Sequence, residues 1–210
     1  MLYDPTFVTA KLIKWEKYMK AFSLPAWEQL PPIELYMDQV LALLPQYLDF
    51  LPREEKAGTI VSASAINNYV RLKVMPPPNK KKYARIHIAY LIILCCLKQA
   101  LNISDIQRII PANLSEEEMR VIYNDFAEKH KEAALFFISQ AREMTQEFMG
   151  DKQNQEMTAV DNLVVMAAIV AGLSKLLVEK VVALQNITLE NSNDPALPEI
   201  VQQIKMGIIE

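Results

Sequence analysis

The stretch SASAINNYVRLKVMPPPNKKKYARIHIAY, Ser62 to Tyr90, decides the fold. Ser62 is a good N-cap for a helix. Ile66, Tyr69 and Val70 stand at i, i+3 and i+4 and make one inward stripe. Ser64, Asn67, Asn68, Arg71 and Lys73 lie away from it. The helix is short, because it must stop before Pro76, Pro77 and Pro78. "NKKKY" then predicts a brief basic loop or a narrow hairpin. A long apolar helix follows, from about Ala84 to Leu101.

The same region sets the charge pattern. From Lys56 to Ser104 there is no Asp and no Glu. That span carries Lys56, Arg71, Lys73, Lys80, Lys81, Lys82, Arg85 and Lys98, a net +8, in a chain of formal charge −3. The remainder therefore carries −11. Carboxylates are expelled from a segment when each would repel a polyanion. Six basic groups without an acid between Arg71 and Arg85, beside a capped short helix, point to nucleic acid.

Working outward toward the N-terminus, Pro25, Pro31 and Pro32 forbid a continuous helix. Lys11 to Ala21 reads as a short helix followed by an extended linker. A helix begins near Ile33, with Leu35, Val40, Leu43, Leu44 and Tyr47 on its apolar face, and Pro45 kinks or ends it. "FLPREEKAGTI" reads as a loop turning at Gly58. The leading residues do not read as a signal peptide.

Toward the C-terminus, Ser104 and Gln107 form a capping box that opens "SDIQRII". Ser115 and Glu118 form another. Met119, Ile122, Phe126, Ala133, Phe137, Ala141, Met144 and Phe148 then recur mostly at steps of three and four. They predict one amphipathic helix of ~34 residues, about 50 Å long. "GDKQNQ" is a turn. A second helix runs from roughly Gln155 to Gln185 and is apolar nearly all round between Leu163 and Val170, so it must be covered on several sides. The tail after Glu190 is loosely held. "IHIAYLIILCCL" and "NLVVMAAIVAGLS" fall short of the ~20 apolar residues of a membrane span and read as buried helices.

Little supports an enzyme. The chain has four glycines, so no Gly-rich phosphate loop forms. Cys95 and Cys96 are adjacent, which strains a disulfide and gives no metal-ligand spacing; they read as core residues in a reducing cytoplasm. Of the two histidines, His87 reads as a satisfied structural residue and His130 as exposed. No zinc spacing appears, and neither a metal nor a cofactor is implied.

"SASAINNYVRLKVMPPP" resembles the second helix of the MerR-type winged helix-turn-helix regulators. Ser62, Ile66, Tyr69, Val74, Met75 and Pro76 match that family's pattern in order. A closer similarity is to a bacterial domain-of-unknown-function family, itself MerR-like. Its "LYMDQ", "INNYV", proline and "KKKY" motifs are met at Leu35–Gln39, Ile66–Val70, Pro76–Pro78 and Lys80–Tyr83. Only "NKKK" separates the prolines from Tyr83, so the wing is minimal, and Lys73 replaces the usual glycine after the helix.

The resemblance implies an all-α, MerR-like helix-turn-helix fold with long C-terminal helices. The expected divisions are a leading helix and linker over 1–32, the DNA-binding domain over 33–112, a helical dimerisation or core region over 113–190, and the tail over 191–210. The expected function is sequence-specific binding of double-stranded DNA by a homodimeric, cytoplasmic transcriptional regulator, with no membrane association and room for an unknown small-molecule effector. Ser62, Ser64, Asn67 and Asn68 would face the groove, since Asn can pair with an adenine edge. Arg71, Lys73, Lys80, Lys81, Lys82 and Arg85 would meet phosphate. Tyr69 is core by its spacing, whereas the resemblance sets both it and Tyr83 at the DNA. The alternative is a helical protein-interaction module whose basic face binds an acidic partner. MerR-type dimers join through helices after the DNA-binding domain, the position of Ser115 to Phe148.

Overall fold

Leu24 and Tyr123 mark the ends of one continuous hydrophobic core. The computed structural model describes residues 4–53, 59–149 and 158–207. Among these residues eight α-helices run in the order α1 Pro5–Ala21, α2 Met37–Tyr47, α3 Ala63–Arg71, α4 Arg85–Leu97, α5 Ile103–Ile109, α6 Glu116–Met149, α7 Thr158–Ala183 and α8 Leu197–Lys205. Among the described residues, β-pairing is confined to two isolated bridges. The all-α expectation is met. Gly58 and the Gly150 turn lie outside the described residues.

Helix α4 is the centre. His87 to Cys95 are buried in an unbroken run, so its neighbours cover it on every side. α2 and α6 both pack on it. Val40 and Leu44 of α2, Ile66 and Tyr69 of α3, and Met119 and Tyr123 of α6 are buried in the same cluster. Each fully buried aliphatic side chain contributes about 1.5–3 kcal/mol.

The N-terminal segment is more than a linker. Asp4 caps α1 by accepting from the Phe7 N–H at 3.0 Å, with Pro5 in the first turn, so the helix starts six residues before Lys11. Between the prolines, Trp27–Gln29 forms a 3₁₀ turn that drives Trp27 and Leu30 into the core. This strap is tied to α6. The Trp27 N–H donates to Asn124 Oδ1 at 3.1 Å, Tyr123 Oη donates to the Pro25 carbonyl at 2.8 Å, and Arg120 reaches Glu28 at 2.7 Å. The core thus crosses the expected divisions at 32 and 112.

Other boundaries moved for local reasons. α2 begins at Met37 because Leu35 is held in a bridge, and it ends two residues past Pro45. Asn102, and not Ser104, caps α5: it accepts from the Asp105 N–H at 3.0 Å, while the Ser104 hydroxyl donates to Asn102. Ser115 and Glu118 do form the expected box, with the Ser115 N–H donating at 2.8 Å and the Glu118 N–H at 3.3 Å. α6 has the 34 residues expected. The tail carries α8, with Pro198 in its first turn.

Two readings are corrected. His130 is half-buried among Phe22, Phe50 and Phe126, with ring centroids 6.1, 5.1 and 6.2 Å away. Its approach to α1 and to the segment after α2 was invisible in a local, polar-looking sequence. The helix over Val160–Ala183 is 24 residues long, apolar enough to cross a membrane, and not buried. The shorter apolar stretch at Arg85–Leu97 is buried as expected.

Candidate nucleic-acid interface

The Ser62–Arg85 segment folds as three linked devices. The first is α3. Ser62 Oγ accepts from the Ala65 N–H at 3.3 Å and lies 3.0 Å from Ser64 Oγ. Ile66 and Tyr69 turn inward, while Ser64, Asn67 and Arg71 face solvent. Arg71 donates to Asn68 Oδ1 at 2.6 Å, so these two side chains act as a unit.

The second is the stop. Lys73 has φ +56. The Val74 N–H returns to the Tyr69 carbonyl at 2.9 Å and the Lys73 N–H to the Val70 carbonyl at 3.0 Å. This is a Schellman terminator, with Lys73 where glycine is usual. Val74 and Met75 are buried behind it, and the prolines then prevent any return to helix.

The third is a hairpin. The Asn79 N–H donates to the Lys82 carbonyl at 3.1 Å, and the Lys82 N–H to the Asn79 carbonyl at 2.8 Å. Lys80 and Lys81, at φ +47 and +66, are the two central residues, which makes a type I′ turn with lysines at the two positions that asparagine and glycine usually fill. Both are exposed, and neither is in an ion pair among the described residues. The base of the hairpin is locked by Leu35 and Tyr83, whose N–H groups donate to each other's carbonyls at 2.9 and 2.8 Å. Lys82 Nζ lies 5.6 Å from the Tyr36 ring, and the Gln39 side chain accepts from the Tyr36 N–H at 2.8 Å. The "LYMDQ" and "KKKY" motifs, far apart in the chain, are two halves of one joint.

Not every expected side chain is free to reach a ligand. Tyr69 and Tyr83 are each 3% exposed and belong to the core; burial raises the Tyr83 phenol above its ordinary value. Arg85 lies with its guanidinium carbon 5.8 Å from the Trp27 ring, and its Nε is buried. It serves the strap, and spacing could not foresee that Trp27 folds back over it. His87 accepts from the Ala84 N–H at 3.0 Å and its other nitrogen is 3.2 Å from the Pro77 carbonyl. That makes it the satisfied structural residue expected, bracing the polyproline.

Two cations outside the expected set join this region. Arg53 and Lys98 line a cleft of about 240 Å³ with Tyr69 and Gln99, and Lys98 Nζ lies 5.6 Å from the Tyr69 ring. Lys98 was signalled by the acid-free span. Arg53 was masked by its neighbours Glu54 and Glu55. A separate apolar groove of about 490 Å³ lies between α1, α6 and α7, lined among others by Trp15, Phe137 and Leu163. Burial drives the Cys96 thiol well above its usual range, so it is not a poised nucleophile. No cluster of three metal-ligating side chains occurs among the described residues.

Residues 25–126 match the family model of a domain of unknown function, DUF1836. The matched segment begins and ends where the core does, from Leu24 through the first turns of α6. It includes the strap, α2 to α5, and the joint between hairpin and α2. No curated protein and no solved structure matches the chain.

Proposed function

We propose that this chain binds double-stranded DNA in a sequence-dependent way, as a dimeric transcriptional regulator. The observation that carries the reading is the exposed Lys80–Lys81 tip, held in left-handed backbone on a locked hairpin, within a span free of carboxylates. Lys80 is seven residue steps from Lys73, so the end of α3 and the hairpin tip lie within about 25 Å. One turn of duplex, ~34 Å, therefore accommodates both. In this arrangement Ser64, Asn67 and the Asn68–Arg71 unit meet base edges. Lys73, Lys80 and Lys81 meet phosphates, with Lys82 behind them. Ser62 acts through its cap, and Tyr69, Tyr83 and Arg85 act only by shaping the support.

The test is selection of bound duplexes from a random pool, followed by titration over a series of salt concentrations. Lys80→Gln with Lys81→Gln should weaken binding to every duplex and lower the log–log salt slope by about 0.9 for each phosphate that is no longer neutralised. An unchanged slope removes the hairpin from the interface. Capture of an acidic protein with no retardation of any duplex would favour the interaction-module reading.

A further inference from the structure

Helix α7 is held to the rest of the chain on one side. Leu163 and Ala167 line the groove shared with α1 and α6. Val178 packs against the main core, and just past the helix Gln185 donates to the Arg108 carbonyl at 3.0 Å. These interactions fix the rotation of α7 and turn another stripe outward. Along it stand Met166, Ile169, Leu173 and Leu176, which are 42%, 50%, 60% and 55% exposed. Their steps of three, four and three are the a/d spacing of a coiled-coil seam. Asn162 precedes the seam by four residues and Lys180 follows it by four. The order is also symmetric about Ala171. Ile169 mirrors Leu173, Met166 mirrors Leu176, and Asn162 mirrors Lys180.

We propose that α7 pairs antiparallel with α7 of a second copy of this chain, about a two-fold axis at the level of Ala171. This deepens the dimeric part of the function proposed above and rests on it. It also moves the interface from the α6 position that the family resemblance implies. An isologous interface must complement itself when read in reverse, and this seam does. Charge selects the direction. A parallel pair would set Lys180 against Lys180 in the seam. The antiparallel pair sets Lys180 of one copy beside Asn162 and Asp161 of the other. With Val165, Leu177 and Leu184 flanking the seam, roughly 700 Å² per copy is covered at about 100 Å² a side chain, close to the ~800 Å² of a stable interface. A bilayer is the poorer occupant. Lys175, Glu179 and Lys180 fall inside the apolar helix, and its second half is bound to α5 and the core.

Sedimentation of the full chain should give a dimer, and Leu173→Glu should halve the mass with the circular dichroism unchanged. Direction is read with Asn162→Cys/Lys180→Cys under mild oxidation. Within one copy these positions are ~27 Å apart along the helix, so a 162–180 disulfide found by peptide mass must join two copies. The two single-cysteine variants should not cross-link to themselves. The proposal is overturned by a monomeric unmutated chain, by a Leu173→Glu variant that stays dimeric, by self-cross-linking of either single variant, or by transfer of the chain into phosphatidylcholine vesicles as a monomer. DNA retardation is scored separately. A monomer that still binds duplex with a steep salt slope removes the seam alone, and a dimer that retards no duplex removes only the DNA reading.

Discussion

Replacing Lys80 by Asn and Lys81 by Gly separates what the hairpin does for the fold from what it does for binding. Both lysines occupy the left-handed region, at φ +47 and +66. A side chain with an ordinary Cβ loses roughly 1–2 kcal/mol there. Asn-Gly is the pair this turn prefers, so most of that strain is relieved. The new glycine returns about 0.4–1 kcal/mol to the unfolded chain as entropy. The net expectation is a gain of about 1–2 kcal/mol, helped by removing two of three adjacent ammonium groups. Urea unfolding should therefore show a higher midpoint with the same slope m. Duplex binding should move the other way, with the salt slope falling by about 1.8 if each lysine neutralises one phosphate. A variant no more stable than the parent would refute the strain argument. One that is stabilised and still binds with the parent's slope would refute the assignment of the hairpin to the interface.

Three further outcomes are expected. Ser62→Ala removes the α3 cap seen at 3.3 Å and should cost about 1 kcal/mol in urea unfolding. Asn67→Ala, at an exposed position beside the Asn68–Arg71 unit, should relax sequence preference at a cost of about 1–3 kcal/mol in a competition assay; a loss uniform across duplexes would make Asn67 a positioning residue. Burial among phenylalanines lowers the His130 pKa below its ordinary 6.5. Below pH 6.5 the unfolded chain takes up this proton before the folded one, so the stabilisation His130 gives by staying neutral is complete above that pH and is lost as pH falls through the folded pKa. His130→Phe should flatten this part of the urea midpoint's acid dependence.

Features carried by neighbouring residues were legible in the chain. Ser62 and the Ser115–Glu118 box act over three residues, and the proline stop and "NKKKY" hairpin over five. Features that need a distant partner were not. Leu35 has the period of a helix residue, yet it is claimed by Tyr83 across the chain. Arg85 belongs to the basic run by composition and to Trp27 by position. His130 looked solvated because its own helix is polar around it, while its cover comes from Phe22 and Phe50. The same limit governs α7. Its apolar circumference called for cover on several sides, and within one chain the cover is on one side.

The length of α6 has a consequence of its own. Its first turns are fused to the strap by Tyr123 and Asn124, and its far half is braced by α1 through Trp15 and Phe137, whose ring centroids are 6.1 Å apart. A rod held at its start and along its middle behaves as a ruler. It sets how far the basic hairpin stands from α7, and adding or deleting one heptad would change that reach by about 10 Å while turning the faces at either end by only ~20°.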